Sequence, residues 1–215
     1  MISLENISKA YKTKGVHKQI FEGFNFEFLP NKNYAIMGNN GIGKSTLLRL
    51  IAGAEVPDKG RINRRGKVSW PMGFSGGFNG SMTGVENVRF VSRIYGEDPR
   101  RIIQYVYEFS ELKESMSLPI RTYSSGMRSR LAFGLSLAID FDCYLVDEII
   151  AVGDGNFRKK SKEEFLKKFK KSFLIMASHS PSIVKDYCNC GILINSRGIN
   201  YYDNIDDLLE AYSMN

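Results

Sequence analysis

Apolar residues recur with two different periods along this chain. In GFNFEF, residues 23–28, every second residue is a phenylalanine, which is typical of a half-buried strand. In KSTLLRLIAG, residues 44–53, leucine and isoleucine recur at helical spacing instead. From residue 143 onward, the apolar runs CYLVDE, SFLIMAS and GILIN alternate with helical patterns, and a final helix is predicted from about residue 204. This alternation predicts an α/β protein with a largely parallel core sheet.

The middle of the chain has a different pattern, because three amphipathic helical segments follow one another there. They are VENVRFVSRIY, PRRIIQYVYEFSEL and SGMRSRLAFGLSLAI. We therefore expect residues 85–139 to form a helical subdomain that is inserted into a core made of residues 1–84 and 140–215.

The composition narrows the class of protein without naming a function. The chain has 215 residues, of which 43% are hydrophobic and 25% are charged, as expected for a globular α/β protein. The net charge of +7 is compatible with anionic lipid, nucleic acid or nucleotide as a partner, or with solubility alone. The three cysteines lack metal-ligand spacing, and we expect them to be reduced, as in the cytosol. No secretory signal is expected, because MISLENISKA has no basic n-region or apolar run. No membrane span is expected either, since the longest apolar stretch, LAFGLSLAI, is about half of what a bilayer requires.

The segment GNNGIGKS, residues 38–45, fits the phosphate-binding pattern G-x-x-x-x-G-K-[ST]. It lies between a predicted strand and a predicted helix, which is the context that the pattern requires. Glycines allow the backbone N–H groups to face phosphate oxygens, and the helix dipole adds to this attraction. Lys44 is expected to reach the β- and γ-phosphates, and the Ser45 hydroxyl to bind Mg²⁺. The predicted ATP-binding residues here are Gly38, Asn39, Asn40, Gly41, Ile42, Gly43, Lys44, Ser45 and Thr46.

Polar residues that follow two apolar strands extend this candidate site. Asp147 is expected to hold Mg²⁺, directly or through water. Glu148 is expected to point to the opposite side of an extended strand and to polarise an attacking water. His179 follows SFLIMAS, and ligands of such sheets gather where the parallel strands end, so contact with the γ-phosphate is expected of it. The alternative is that Asp147 and Glu148 only end their strand in a turn and that His179 is a structural histidine.

Five segments together, GNNGIGKST, YSSGMRSRL, YLVDE, AVGD and SH, resemble the nucleotide-binding subunits of ABC transporters. The resemblance covers essentially the whole chain. It implies a P-loop NTPase core of the ABC type with a parallel sheet, an N-terminal antiparallel β subdomain and an inserted α-helical subdomain. It also implies a head-to-tail homodimer that holds two ATP molecules, with Mg²⁺, between its subunits.

The same resemblance implies roles for residues that lie far from the phosphate-binding segment. Ser124, Ser125 and Gly126 would bind the γ-phosphate of an ATP that is held by the other subunit, and Asp154 matches the loop that contacts across the dimer. A helix start suits an anion on physical grounds. The alternative is a helix that is simply capped by one of the two serines, and both can hold at once.

The remaining roles also come from the resemblance. Tyr11 matches the aromatic residue that stacks on adenine, Glu148 the catalytic base and His179 the switch histidine. The chain departs from the general pattern in two places. The usual signature Leu-Ser-Gly-Gly-Gln is replaced by YSSGM, and SWPMGFSGGFNGSMTGVEN lacks the glutamine that is expected in the loop before the helical insertion.

These departures resemble the branch of the family that exports bacterial surface polysaccharides, and within it the capsular polysaccharide export ATPases. This implies an ATPase at the cytoplasmic face of the inner membrane that works with an integral membrane permease and other capsule export proteins. Related O-antigen exporters often carry a C-terminal carbohydrate-binding domain, for which 215 residues leave no room, so capsular polysaccharide is the favoured cargo. O-antigen or teichoic acid is the alternative cargo, and an ABC-type ATPase without a transport role is a further alternative.

Two surface features complete the expectations. Trp70, Phe74 and Phe78 are expected to line the groove that receives the permease, with local packing as the alternative. The basic segment at 158–171 predicts an amphipathic surface helix, with anionic lipid or an acidic partner as the alternative. No nucleic-acid partner is expected, because no recognition module for one is present.

Overall fold

The computed structural model describes residues 1–13, 15–72, 77–147, 154–168 and 171–214. The strands, in chain order, are β1 (Ile2–Thr13), β2 (Val16–Phe28), β3 (Tyr34–Gly38), β4 (Lys59–Arg64), β5 (Val68–Met72), β6 (Cys143–Asp147), β7 (Phe173–Ala177), β8 (Cys190–Asn195) and β9 (Gly198–Tyr202). The α-helices are α1 (Lys44–Ala52), α2 (Gly84–Ile94), α3 (Pro99–Ser110), α4 (Ser125–Ala138), α5 (Gly155–Lys168), α6 (Pro181–Tyr187) and α7 (Ile205–Ser213). Two short 3₁₀ helices, Lys113–Ser117 and Ile120–Thr122, precede α4.

A six-stranded sheet with the order β5-β6-β7-β3-β8-β9 forms the centre of the α/β part. Strands β6, β7, β3 and β8 are mutually parallel, and β9 is antiparallel to β8. Strands β3 and β7 are buried along their whole length, as expected for parallel strands that are covered on both faces. The prediction of a largely parallel core sheet is therefore confirmed.

A second sheet of three antiparallel strands, in the order β2-β1-β4, is built from the first part of the chain. Its inward side chains, such as Phe21 and Phe28, belong to the same apolar core as Leu47 and Leu48 of α1 and Ile36 of β3. This shared core brings β1 and β2 close to the helix that follows the phosphate-binding segment. Neither β1 nor β9 was predicted from the sequence pattern.

The chain forms two compact units. One comprises Met1–Pro71, Phe141–Glu148 and Lys171–Asn215, and the other comprises Met72–Asp140 and Ile149–Lys170. The sequence placed the helical subdomain at 85–139, whereas the helical unit of the structure also takes in residues before α2 and helix α5.

Aromatic packing explains why α5 belongs to the helical unit. The ring of Phe157 lies edge-on to Phe109 of α3, with 5.2 Å between ring centroids. Further along α5, Phe165 lies 6.3 Å from Phe133 of α4. All four rings are buried, so α5 contributes its apolar face to the core of this unit. Arg158, Lys159, Lys162 and Lys167 are exposed, as expected for the basic side of an amphipathic helix, whereas Lys160 lies against the Phe109 ring. Residues 169 and 170 of the predicted basic segment lie outside the described residues.

Helix α4 changes character along its length. Every residue from Leu131 to Ala138 is buried, whereas its first two residues, Ser125 and Gly126, are exposed. The N-terminus of the helix is therefore exposed to solvent, while its C-terminal half is buried. Among the described helices, none has the length and apolar character needed to cross a bilayer.

Candidate nucleotide-binding site

The segment that joins β3 to α1 requires glycine at two positions, because neighbouring atoms leave no room for a side chain there. Gly38 has φ +147°, and a Cβ there would overlap the carbonyl oxygen of Ile194 in β8. Gly43 has φ +124°, and a Cβ there would lie 2.5 Å from the side chain of Ile20 in β2. Both backbone conformations are in the region that disfavours other residues. The loop is therefore held tightly between β8 and β2.

The start of α1 offers donors to an anion. The first backbone bond of the helix runs from the Leu47 N–H to the Gly43 carbonyl (2.9 Å), so the N–H groups of Lys44, Ser45 and Thr46 precede the intrahelical ladder. Among the described residues, no side chain caps this helix, and its first turn contains no acidic residue. An uncapped helix start that carries a cation is the arrangement that binds phosphate.

Lys44 is poised over this loop. Its side chain is buried, with 6% of the residue exposed, and its Nζ donates to the carbonyls of Gly38 (2.8 Å) and Asn39 (3.1 Å). A buried ammonium whose hydrogen bonds within the described part of the chain go to neutral carbonyls favours an anionic partner nearby. The residues present therefore fit the phosphates of a nucleotide, as the sequence predicted.

Tyr11 of β1 is connected to the same helix. Its hydroxyl donates to Glu55 Oε2 (2.8 Å) and lies 3.3 Å from the Thr46 hydroxyl. Arg49 Nη2 donates to both Tyr11 Oη (3.1 Å) and Thr46 Oγ1 (3.2 Å). The structure thus brings Tyr11 and Thr46 together, and it adds Arg49, which the sequence analysis missed. The three-residue spacing of Thr46 and Arg49, which places both on one helix face, was the available signal.

Glu55 stabilises this arrangement as an anion. Burial favours its neutral form, but hydrogen bonds from Tyr11 and Arg49, together with Lys9, hold the pKa of this carboxyl below its ordinary value. Lys9 Nζ lies 3.2 Å from Glu55 and 3.4 Å from Asp58, and 5.6 Å from the centroid of the Tyr11 ring. The ring of Tyr11 is therefore fixed by charged neighbours. No sequence signal indicated Lys9 or Glu55, because they meet only through the packing of β1 against the end of α1.

Asp147 and His179 lie at the edge of the sheet where the phosphate-binding loop begins. Asp147 is the last residue of β6 and pairs with Ala177 of β7, which in turn pairs with Ile36 of β3. His179 follows β7 by two residues and is exposed. Gly38, two residues beyond Ile36, ends β3 at the same edge. The parallel register thus places these side chains at the edge where the sequence predicted them.

The start of α4, in the helical unit, differs from the start of α1. Ser124 is the N-cap, and its Oγ accepts a hydrogen bond from the Met127 N–H (3.2 Å). A Cβ on Gly126 would meet no described atom nearer than Ser124 Oγ at 3.9 Å. The packing of the described residues therefore does not require glycine at this position, and open space lies over the exposed helix start.

Tyr123, which replaces the usual leucine of the signature, anchors the start of α4. Only 3% of the residue is exposed, and its hydroxyl donates to the Ser115 carbonyl (2.5 Å). The hydroxyl also lies against Gly84, where a Cβ would approach it to 2.5 Å. Arg128 Nη1 donates to the Tyr123 carbonyl (2.9 Å). The tyrosine therefore uses both its ring and its hydroxyl to hold the serines of the next turn in place.

Asp154 begins α5. Its Oδ1 accepts a hydrogen bond from the Phe157 N–H (3.1 Å), and its Oδ2 lies 2.5 Å from Nη2 of Arg130 in α4. The backbone bond from Phe157 and the charge of Arg130 lower the pKa of Asp154. The structure thus connects the two segments that the resemblance assigned to the other subunit's ATP. Arg130 was not predicted as a site residue.

The remaining predicted residues are only partly described. Glu148 and Phe74 lie outside the described residues. Trp70 is half-buried in β5 and packs edge-on against Phe141, with ring centroids 5.4 Å apart. Phe78 is half-buried in the helical unit. The contact of Trp70 shows local packing for this residue, and contact with a permease stays a prediction.

Comparisons with known proteins agree with these observations. A profile of the ABC transporter family matches residues 21–151. The chain is 48% identical to the polysialic acid transport ATP-binding protein KpsT of Escherichia coli, over 99% of this chain and 98% of KpsT. It is 44% identical to the capsule polysaccharide export ATP-binding protein CtrD of Neisseria meningitidis serogroup B, over 99% of each.

The fold is similar to that of a solved dimer, the ATP-binding cassette MJ0796 in a post-hydrolysis state bound to ADP and Pi. The TM-score is 0.76 at 19% identity, and the match covers 95% of this chain and 99% of MJ0796. The predicted fold class is confirmed. The family profile covers more than half of the chain, and the relatives match it over nearly its full length. This chain therefore belongs to the ABC transporter family of ATP-binding proteins.

Proposed function

We propose that this chain is the ATP-hydrolysing subunit of an exporter that carries capsular polysaccharide across the bacterial inner membrane. The observation that carries this proposal is the high identity, over nearly the full length, to KpsT and CtrD, which are named for transport of polysialic acid and export of capsule polysaccharide. The geometry of the phosphate-binding loop supports the ATPase activity.

ATP would be bound through its phosphates and its base. The N–H groups at the start of α1 and the Lys44 ammonium would bind the phosphates, while Tyr11 would stack on adenine. Mg²⁺, held by the Ser45 hydroxyl and the Asp147 carboxylate, would neutralise charge on the β- and γ-phosphates. The hydrogen bonds of the Tyr11 hydroxyl support this role, because they fix the ring beside Thr46 before the nucleotide arrives.

Hydrolysis would proceed by attack of water on the γ-phosphorus. Glu148 would accept a proton from the water as its oxygen bonds to phosphorus. The bond from phosphorus to the bridging oxygen would break, leaving ADP and inorganic phosphate. His179, at the same sheet edge as Asp147, would contact the γ-phosphate and respond to its loss.

A second copy of this chain would complete each site. Ser124, Ser125 and Gly126 of one subunit would bind the γ-phosphate held by the other, and Asp154 would lie at the same interface. The exposed N–H groups of α4 and the open space over Gly126 support this assignment, because they leave room for a phosphate that the subunit itself does not bring.

The chain would act as a peripheral protein at the cytoplasmic face of the membrane, bound to an integral permease and working with other capsule export proteins. Helix α2 supports a docking surface, since Phe90 and Ile94, one turn apart, are 55% and 63% exposed. Trp70, Phe74 and Phe78 precede this helix in sequence, and each of them is proposed to contact the permease.

Glu148→Gln tests the ATPase proposal. With the base removed, MgATP should stay bound, and the protein should shift from monomer to dimer in size-exclusion chromatography with light scattering. The double variant with Lys44→Ala is the control and should remain monomeric. A Glu148→Gln protein that binds MgATP and never dimerises would contradict the two-subunit site.

The cargo is tested in the native host. Glu148→Gln in the chromosome should abolish capsular polysaccharide at the cell surface and cause it to accumulate inside, as measured by glycan staining and fractionation. Gentle membrane solubilisation should recover the tagged wild-type chain with a multi-helix permease. If O-antigen or teichoic acid is lost from the cell surface instead of capsule, that polymer is the cargo, and the ATPase proposal still holds.

A further inference from the structure

Arg130 of α4 contacts two carboxylates from different elements. Its Nη2 lies 2.5 Å from Oδ2 of Asp154, the N-cap of α5, and its Nη1 lies 3.4 Å from Oε2 of Glu111 at the end of α3. The guanidinium carbon lies 4.4 Å from the centroid of the Phe157 ring. Only 21% of the Arg130 side chain is exposed. A planar fork over an aromatic face satisfies all three contacts, which a lysine cannot do.

The same cluster contains a second cation. Lys160 Nζ lies 2.7 Å from Glu111 Oε1, donates to the Phe109 carbonyl (3.0 Å) and lies 5.1 Å from the centroid of the Phe109 ring. Glu111 itself has φ +60°, a conformation that glycine would adopt more readily at the end of a helix. The Glu111 carboxylate contacts a cation from α4 and a cation from α5 and so joins the two helices.

We propose that Arg130 is a positioning residue that holds the signature at the start of α4 and Asp154 in one fixed arrangement. These are the two segments that face the other subunit's ATP in the proposed function, on which this inference rests. Arg130 lies four residues after Gly126, about one helical turn beyond the exposed N–H groups. Fixing Asp154 to this turn makes the two segments approach the partner's nucleotide as one rigid surface.

The main effect of this ion pair should be on assembly and only slightly on folding. The Asp154 side chain is 65% exposed, and exposed ion pairs stabilise a fold weakly. Groups that bind a phosphate, in contrast, lose much of their effect when they are displaced by even about 1 Å. Removal of Arg130 should therefore weaken closure of the dimer while the free subunit keeps its fold and its own nucleotide site.

A second ion pair between the same two helices provides a matched control. Lys168 Nζ, at the end of α5, lies 2.5 Å from Oδ1 of Asp140, which follows α4. It joins α4 and α5 at the ends that are distant from the signature. Lys168→Met thus removes a comparable contact without disturbing the proposed arrangement at the helix starts.

The test uses the full-length Glu148→Gln protein as parent. Sedimentation velocity gives the MgATP-dependent dimerisation constant, fluorescent ATP binding to dilute monomer gives nucleotide affinity, and thermal unfolding gives Tm. Arg130→Met should weaken dimerisation at least tenfold with nucleotide affinity unchanged, while Lys168→Met leaves dimerisation as in the parent. Asp154→Asn should weaken dimerisation similarly, and the double variant with Arg130→Met should be little worse than either single change.

Arg130→Lys separates positioning from folding. It keeps the charge, should preserve Tm, and should still weaken dimerisation severalfold because it loses the fork. Dimerisation of Arg130→Met equal to that of the parent, or equal losses in Arg130→Met and Lys168→Met, would overturn this inference alone. A parent that binds MgATP without dimerising would overturn the proposed function and this inference with it.

Discussion

The starts of α1 and α4 are both proposed to bind phosphate, but the two helix starts differ in what the packing around their glycines requires. At α1, a side chain on Gly38 would overlap the Ile194 carbonyl, so the loop could not keep its backbone with any other residue. At α4, a side chain on Gly126 would meet no clash among the described residues, since its Cβ would lie 3.9 Å from the Ser124 hydroxyl. At α1, the fold and the proposed phosphate binding therefore require the same glycine. At α4, only the proposed phosphate binding gives a reason for glycine. Substitutions at and around the two helix starts test this difference.

The largest effect is expected from Gly38→Ala. The added methyl group meets backbone, which cannot move aside cheaply, and the positive φ adds strain. We expect a loss of about 2–4 kcal/mol in the free energy of unfolding, measured by urea titration, together with loss of ATP binding. A Gly38→Ala protein of wild-type stability would show that the close approach to Ile194 is relieved at little cost.

Ser124→Ala should have a smaller effect that is confined to the helical unit. It removes the hydrogen bond to the Met127 N–H, which should cost about 1 kcal/mol. Hydrogen exchange of the first turn of α4 should increase, while ATP binding by the monomer stays unchanged because α1 is intact. Ser124→Asp, which restores a capping oxygen, should recover the stability but repel a phosphate. Equal ATP-dependent dimerisation of both variants would contradict this distinction.

Glu55 makes the nucleotide site pH-dependent. Its pKa in the folded protein lies below the ordinary value of 4.5, so its stabilising effect is fully present above about pH 4.5 and is lost as the pH falls through the lower, folded-state pKa. Glu55→Gln should therefore cost about 1–2 kcal/mol at pH 7 and progressively less in more acidic buffer. Urea unfolding between pH 3 and pH 7 measures this. Tyr11→Phe, which removes one donor, should reduce the pH dependence in part.

Gly126→Ala should have the smallest effect on folding. Alanine is the better helix former, so the free energy of unfolding should stay the same or rise by up to about 1 kcal/mol. If a phosphate from the other subunit occupies the open space, ATP-dependent dimerisation should nevertheless be lost. If Gly126→Ala dimerises at the same ATP concentration as the wild type, the proposal that a phosphate occupies the space beside Gly126 is wrong.

The phosphate-binding segment was predictable because its chemistry is local. A strand, a glycine-rich loop and a helix start follow one another without interruption, so the pattern of 38–45 contains both the fold and the ligand chemistry. Asp147 and His179 were predictable in place because parallel strands end at one edge of a sheet. Their roles, like that of Glu148, stay predictions.

The residues that sequence reasoning missed are those that act across elements. Glu55, in the segment after α1, meets Lys9 and Tyr11 of β1 only in the fold. Arg130 reads as one more basic residue of a helix until Asp154 and Glu111 are brought to it. Such contacts depend on how helices and sheets pack, and no spacing along the chain encodes them.

The sequence by itself determined the α/β class, the phosphate-binding loop and the relationship to ABC transporters, because these depend on short-range periodicity and on residues that are contiguous in the chain. Only the tertiary structure decided that α5 packs with the helical unit, that Tyr123 anchors the signature through its hydroxyl, and that Arg130 joins α4 to Asp154. Side chains distant in sequence meet only when apolar faces are buried together, and burial is a property of the whole fold.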